Sequence, residues 1–322
     1  MAEIGRFAFD PRDGGDRLMT AYQDGLFNCA MCNKCLEVCP YEIDLPNLVI
    51  APMRRRAIER GIGPTSKVKE LKSLIEKSGK AFIKPLRHAT FLETHSSKVE
   101  AETPKDQVAL FVGCLIDYDF RLHGIAESAI NVLKINQIET LIPKNQVCCG
   151  LPLFLMGYAD KVKESLLKQN LKAFGDNSKL VTLCAGCLNT LKNRYPKLCE
   201  ELGIDYKLEV YDLSELLLKN GLKTDLMKRL NMKLTYHDPC ESYRGAKISV
   251  EPRELIKSIP EIELIEMDEP DRCCGGNLKL TNPKLGYKLS ARKAKMIKKL
   301  EVDAVVTSCP RCITQLSTAL YK

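Results

Sequence analysis

Short apolar runs alternate with stretches of helical periodicity along the last two-thirds of the chain. Residues 108–113 (VALFVG), 180–183, 233–237 and 304–307 read as strands, with further candidates at 138–142 and 262–265. Between them, apolar positions recur at helical spacing over 126–133, 161–174, 188–198, 283–300 and 311–320. Such alternation predicts α/β architecture, with parallel sheets covered by helices on both faces. No apolar run reaches the roughly 18 residues of a membrane span, so no integral membrane segment is expected. Residues 1–13 mix Glu, Arg and Asp with apolar positions, unlike an export signal.

Cysteine changes the picture. The 322 residues contain 15 cysteines. Without an export signal, that number points to a reducing, cytoplasmic compartment and to thiolates that bind metal, not to a disulfide framework. The first group, Cys29-x2-Cys32-x2-Cys35-x3-Cys39-Pro40, has the spacing that wraps a [4Fe–4S] cluster. Cys39 either closes its own cluster or exchanges with another chain.

The next ten cysteines form an internal repeat. Cys114 precedes Cys148-Cys149-Gly150 and Cys184-x2-Cys187, and Cys240 precedes Cys273-Cys274-Gly275 and Cys309-x2-Cys312. The offset between matching cysteines is 126 at the first position and 125 at the other four. In both copies the cysteines follow the C-terminal ends of predicted strands, where open α/β sheets bind ligands. The Cys-x2-Cys pairs start helices, so their thiolates face helix N-termini. A vicinal disulfide is strained and a thioredoxin-type pair would leave Cys-Cys unexplained. Zinc held by four thiolates and an iron–sulfur cluster held by four or five both stand as readings. Cys199 has no counterpart and reads as a core thiol.

The repeated pattern, with CCGLPLFLMG at 148–157, LCAGCLNTLK at 183–192, YHDPC at 236–240, DRCCGGN at 271–277 and SCPRC at 308–312, resembles the cysteine-rich CCG-domain family. That family includes the catalytic subunits of heterodisulfide reductases and the iron–sulfur subunits of glycolate and lactate oxidases. The segment from Asp10 through Pro40 resembles the last cluster-binding part of succinate and fumarate reductase iron–sulfur subunits. The family's preceding [2Fe–2S] part is absent here, which implies a separate electron-donating iron–sulfur or flavoprotein partner. The resemblance implies two Rossmann-like lobes, 106–231 and 232–322, facing one another. Ahead of them it implies a ferredoxin-type helical segment, 1–50, and a basic helical connector, 51–105. It also implies two further [4Fe–4S] clusters, cubane or noncubane, each on the five cysteines of one repeat. The coenzyme M–coenzyme B heterodisulfide would be reduced or formed between them, alone or coupled to fumarate reduction. All ten repeat cysteines then count as catalytic as well as metal ligands. The alternative is a pure electron-transfer subunit of a flavin-dependent glycolate, lactate or succinate dehydrogenase. A zinc-stabilised interaction protein fits the spacing poorly.

Charge adds a partner question. The net charge is +8, and residues 53–105 carry 13 Lys and Arg against 6 Asp and Glu. Cluster-bound thiolates would make the loaded protein less basic than its sequence pI of 8.7. No aromatics interleave with the basic segment, so nucleic acid is not the expected partner. Arg54, Arg55, Arg56, Arg60 and the lysines through Lys80 are expected to dock an electron donor. Lys192, Arg194, Arg244, Lys247 and Lys279, near the cysteine motifs, are either solvated or meet an anionic thiol or disulfide substrate. His237 either hydrogen-bonds cluster sulfur or caps a strand end.

Overall fold

The computed structural model describes residues 16–63, 65–82, 88–96 and 107–321. The expectations for residues 1–15, for connector residues 64, 83–87 and 97–105, and for residues 106 and 322 lie outside the described residues.

Two separate parallel sheets form the frame. The first contains β1 (Val108–Phe111), β2 (Thr140–Leu141), β3 (Lys179–Thr182) and β4 (Glu209–Asp212), in the order β2-β1-β3-β4. The second contains β5 (Met232–Tyr236), β6 (Ile262–Leu264) and β7 (Ala304–Val306), in the order β6-β5-β7. Every neighbouring pair is parallel, and β5, β6 and β7 repeat the arrangement of β1, β2 and β3. β1 is apolar throughout and all four of its residues are buried, as expected of a central parallel strand covered on both faces. In both sheets the chain leaves the first strand for one side and returns to the other. The C-terminal ends of β1 and β3, and of β5 and β7, therefore border a switch-point crevice.

The six predicted strands are present. β4 was not expected, because Glu209-Val210-Tyr211-Asp212 offers only two apolar positions between acidic ends. Its register on β3 sets Glu209 beside Lys179 and Asp212 beside Thr182. Asp212 then caps a helix, accepting from the Ser214 N–H at 2.9 Å.

The basic connector is not a free arm. Its helices α2 (Ala51–Glu59) and α3 (Ser66–Ser78) follow α1 (Asp16–Phe27). Leu26, Phe27, Ala57, Val68 and Ile75 share one apolar core with Phe111, Leu151, Leu153 and Leu155. Arg54, expected on a docking surface, is fully buried. It donates to Leu26 O at 2.8 Å and Cys29 O at 2.7 Å, and also to Leu155 O. Three backbone carbonyls at chain ends and loops needed donors there, and one planar guanidinium satisfies them all. Gly157, at φ +92°, permits this approach, since a Cβ there would lie 2.8 Å from the Arg54 carbonyl carbon. Arg55 pairs with Glu59 and Asp160, and Lys80 with Asp117 and Gln146 O. Among the described residues no helix is long and apolar enough to cross a membrane.

Candidate metal and redox centre

The repeats build their thiol sets alike. Gly150 (φ +90°) and Gly275 (φ +81°) turn the chain after each Cys-Cys pair. A Cβ at Gly150 would lie 2.6 Å from Val162, and one at Gly275 would lie 2.4 Å from Gly286 O. The turns aim backbone N–H groups at sulfur: Gly150 N–H to Cys148 Sγ at 3.4 Å and Gly275 N–H to Cys273 Sγ at 3.3 Å. Cys184 and Cys309 each stand at a helix N-cap with the same backbone, φ −138° and ψ 116°. The helices that follow are Ala185–Asn189 and Pro310–Leu320.

All ten repeat cysteines line a single cavity. In the first set, Cys114 Sγ lies 3.8 Å from Cys148 Sγ, and thiol contacts continue through Cys149 and Cys187 to Cys184. In the second, Cys240 meets Cys273, which meets Cys274; Cys274 Sγ lies 3.3 Å from Cys312 Sγ, and Cys312 meets Cys309. Cys184 meets Cys309, joining the two sets. Cys32 meets Cys273, joining the first cysteine run to the second repeat. Cys29 and Cys35 lie within electrostatic reach of this end, and Cys39 Sγ accepts from the Ile43 N–H at 3.5 Å. None of these cysteines is in a disulfide. Cys199 is buried in a helix core, away from the cavity.

Crowding sets the acidity of these thiols. Hydrogen bonds from Cys148 and Cys187 pull the Cys149 thiol well below its ordinary range, and those from Cys273 and Cys312 do the same to Cys274. Contacts with Cys114 and then Cys149 push Cys148 well above it, and contacts with Cys274 and then Cys309 do the same to Cys312. Five thiols so close cannot all ionise unless cations neutralise them. A tetrahedral ion with metal–sulfur bonds of about 2.3 Å spans about 3.8 Å between sulfurs, close to the contacts above. The all-sulfur donor sets, with N–H groups directed at sulfur, fit iron–sulfur ligation.

The first run is strapped to the second repeat by polar contacts. Lys34 bonds Asp271 at 2.8 Å and Arg244 bonds Glu37 at 2.6 Å; Arg244 also pairs with Asp271. Asn277 donates to Ala30 O at 3.1 Å, and Asn282 to Asn28 at 3.0 Å. Arg244, a candidate to meet substrate or to be solvated, is instead a strut between the first run and the second repeat.

The other cations named from the sequence are also placed elsewhere. Lys192 pairs with Glu215 and Arg194 with Glu241, while Lys247 and Lys279 are exposed and do not line the cavity. The cation that does is Arg311, inside the Cys-x2-Cys motif, which sequence reasoning overlooked. Comparing the two copies letter by letter exposes it. Gly186 occupies the Arg311 place in the first repeat, and Leu151 the Gly276 place. A Cβ at Gly186 would lie 2.5 Å from Leu151 Cδ2, and one at Gly276 would lie 2.9 Å from Arg311 Cγ. The copies have exchanged large and small at one contact, giving an apolar wall on one side and a cationic wall on the other. Among the described residues the Arg311 guanidinium has no hydrogen-bond or ion-pair partner. Burial pulls its pKa down, but the thiols of Cys184, Cys309, Cys114 and Cys149 outweigh that and the net direction is up.

His237, at the end of β5, is fully buried. Burial, then the charge of Lys293, pushes its pKa down to about 4. Nδ1 lies 3.0 Å from Pro270 O, and Nε2 is buried without a partner.

Residues 108–192 and 234–317 each match the model of the cysteine-rich domain family known as CCG. The chain is 39% identical over 326 residues to an uncharacterized iron–sulfur protein of Methanococcus maripaludis. It is 37% identical to one subunit of the fumarate reductase (CoM/CoB) of Methanothermobacter marburgensis. Both alignments take in 100% of this chain and 63% of the relative, so the chain spans under two-thirds of their length. It is 27% identical to one subunit of the dihydromethanophenazine:CoB–CoM heterodisulfide reductase of Methanosarcina barkeri, over 96% of this chain and 76% of that one.

Proposed function

Because the chain belongs to the family of cysteine-rich CCG-domain proteins, we propose that it is the iron–sulfur redox subunit of a thiol–disulfide oxidoreductase. The observation that carries the reading is the cavity lined by the ten cysteines of two complete repeats, with the thiol of Cys32 against Cys273 at its side. Cys29, Cys32, Cys35 and Cys39 would hold one [4Fe–4S] cluster, and each five-cysteine set another. Bound clusters supply one-electron storage at soft sites that also accept sulfur.

The chain's own residues do the rest. Strand-end loops hold the thiols facing one another. Leu115, Ile116, Leu151 and Pro152 keep one wall apolar, and Arg311 gives the other a fixed positive charge. A disulfide bearing an anionic group fits that asymmetry. Its reduction takes two electrons and two protons and yields two thiols; run in reverse, the electrons would reduce an acceptor such as fumarate on a partner subunit. The relative named for fumarate, CoM and CoB supports coenzyme M–coenzyme B as the thiol pair. A reducing compartment would keep these thiols free to bind metal. An electron-exchanging partner would meet the chain beside the first run, where Val38, Tyr41, Ile43 and Leu48 are exposed, 83% for Tyr41.

Electron paramagnetic resonance of the oxidised loaded protein tests this. Adding coenzyme M thiol should produce a new signal, and adding glycolate or lactate should not. A response to the hydroxy acids but not to the thiol would overturn the reading.

A further inference from the structure

We infer that His237 is an iron ligand of the second thiol set through Nε2, and that the two repeat sites are therefore chemically unequal. The inference rests on the reading that Cys240, Cys273, Cys274, Cys309 and Cys312 hold iron.

The argument starts from one carbonyl. Pro270 O can only accept hydrogen bonds, so the ring nitrogen 3.0 Å from it, Nδ1, carries the proton. The ring is fully buried, which favours its neutral form. Nε2 then presents a lone pair. That atom is buried and has no partner. Leaving such an acceptor unsatisfied costs free energy, so a buried orphan in a native structure points to a missing occupant. The nearby ammonium does not fill the role, because Lys293 Nζ is turned to the carbonyls of Glu269 and Pro270.

The occupant's place is defined by sulfur. A ligating atom of His237 and the thiols of Cys274 and Cys312 all lie within 4.8 Å of one another. Those two sulfurs are 3.3 Å apart. Two thiols and a buried imidazole nitrogen grouped this closely can supply one face of a tetrahedral site. A thiol proton could satisfy Nε2 in the metal-free chain, but metal-bound thiolates have none to give. The Nδ1–H bond to a backbone carbonyl is the outer-shell partner that metal-bound histidines ordinarily have, fixing both tautomer and ring orientation. The backbone is held as well, with His237 N–H donating to Val306 O at 2.9 Å.

The first repeat has no equivalent. Three residues before Cys114 stands Phe111, which is buried and packed edge-on against Phe174. Nitrogen ligation at the second site alone adds a neutral donor beside its five sulfurs, so the two sites differ in their ligand sets.

Pulsed electron paramagnetic resonance of the loaded full chain, grown with 15N-histidine, tests the assignment. Iron and acid-labile sulfide are measured on the same sample. The expected result is a strongly coupled histidine nitrogen on a paramagnetic state of the protein. The coupling should disappear in His237→Gln, and in His237→Phe, which copies the first repeat, when read on the iron and sulfide that each variant retains. Should neither variant fold, the labelled and unlabelled wild type decide the matter, because among the described residues His237 alone of the histidines is grouped with repeat thiols, within 4.8 Å of Cys274 and Cys312. Iron–sulfur spectra with only weak histidine coupling would overturn the ligand assignment and leave the proposed function standing. A chain that takes up no iron or sulfide would overturn both.

Discussion

The thiol of Cys32, in the first cysteine run, lies against the thiol of Cys273, in the second repeat, and that contact with burial pushes the Cys32 thiol up. Through Cys274, Cys312 and Cys309 the contacts continue to Cys184 of the first repeat. On the proposed function, electrons entering at the first run would meet the second repeat before the first. Arg244 holds this junction through Glu37 and Asp271. Arg244→Ala leaves two carboxylates without their buried partner, a loss of about 3 kcal/mol. Freeze-quenched spectra of the variant should show slower reduction of the repeat sites from the first run. Chemical reduction by a small dye should be unchanged.

Arg54 is predicted to matter for folding, not for docking. Arg54→Met strands the carbonyls of Leu26, Cys29 and Leu155, at a cost of about 3–5 kcal/mol. Burial lowers the guanidinium pKa to about 10, so it stays charged at neutral pH. Thermal unfolding should occur well below the wild-type midpoint, with poorer iron uptake at Cys29, Cys32, Cys35 and Cys39. Replacing the exposed Tyr41 and Leu48 by Ser should instead leave the midpoint within a few degrees and weaken copurification with the partner subunit.

Arg311 is predicted to select anionic thiols. Arg311→Met keeps the stem over Gly276 and removes the charge. Binding of a thiol sulfonate, read from the cluster absorption, should weaken about 10- to 100-fold. Binding of neutral 2-mercaptoethanol should change little. Equal losses for both thiols would mean that Arg311 only supports the thiol loops.

Asp212 gives the fold a pH dependence. Burial raises its pKa from 3.8 to about 6, against the opposing hydrogen bonds from Ser214. Between about pH 4 and 6 the native state then binds more protons than the unfolded state. This contribution is present below pH 4 and lost as pH rises through 6, up to about 3 kcal/mol. Asp212→Asn keeps an oxygen for the Ser214 N–H and does not titrate. The thermal midpoint of the variant should rise relative to wild type as pH goes from 4.5 to 7.

The gathering of the ten repeat thiols in one cavity was legible because their spacing is written in the sequence. The repeat of Cys114, Cys148, Cys149, Cys184 and Cys187 at Cys240, Cys273, Cys274, Cys309 and Cys312 required strand-end loops, and periodicity supplied the strands. Side-chain partners were not legible. Arg54 looked like a surface charge because its ligands are carbonyls, which leave no trace in composition. Arg244 and Arg194 stood near cysteines in sequence but were claimed by Asp271 and Glu241, brought there by tertiary packing. Arg311 carried its signal in the comparison with Gly186, where only a size exchange with Leu151 and Gly276 gives it meaning. β4 was too short and too polar to announce itself before β3 provided a partner.

The central claim is that three thiol sets hold three four-iron clusters. Anaerobic reconstitution of the full chain followed by iron and acid-labile sulfide analysis tests it most directly. The account predicts about twelve irons and a comparable number of sulfides per chain, falling by about four when Cys29, Cys32 and Cys35 are replaced by Ser. Zinc in place of iron, or iron without sulfide, would contradict it.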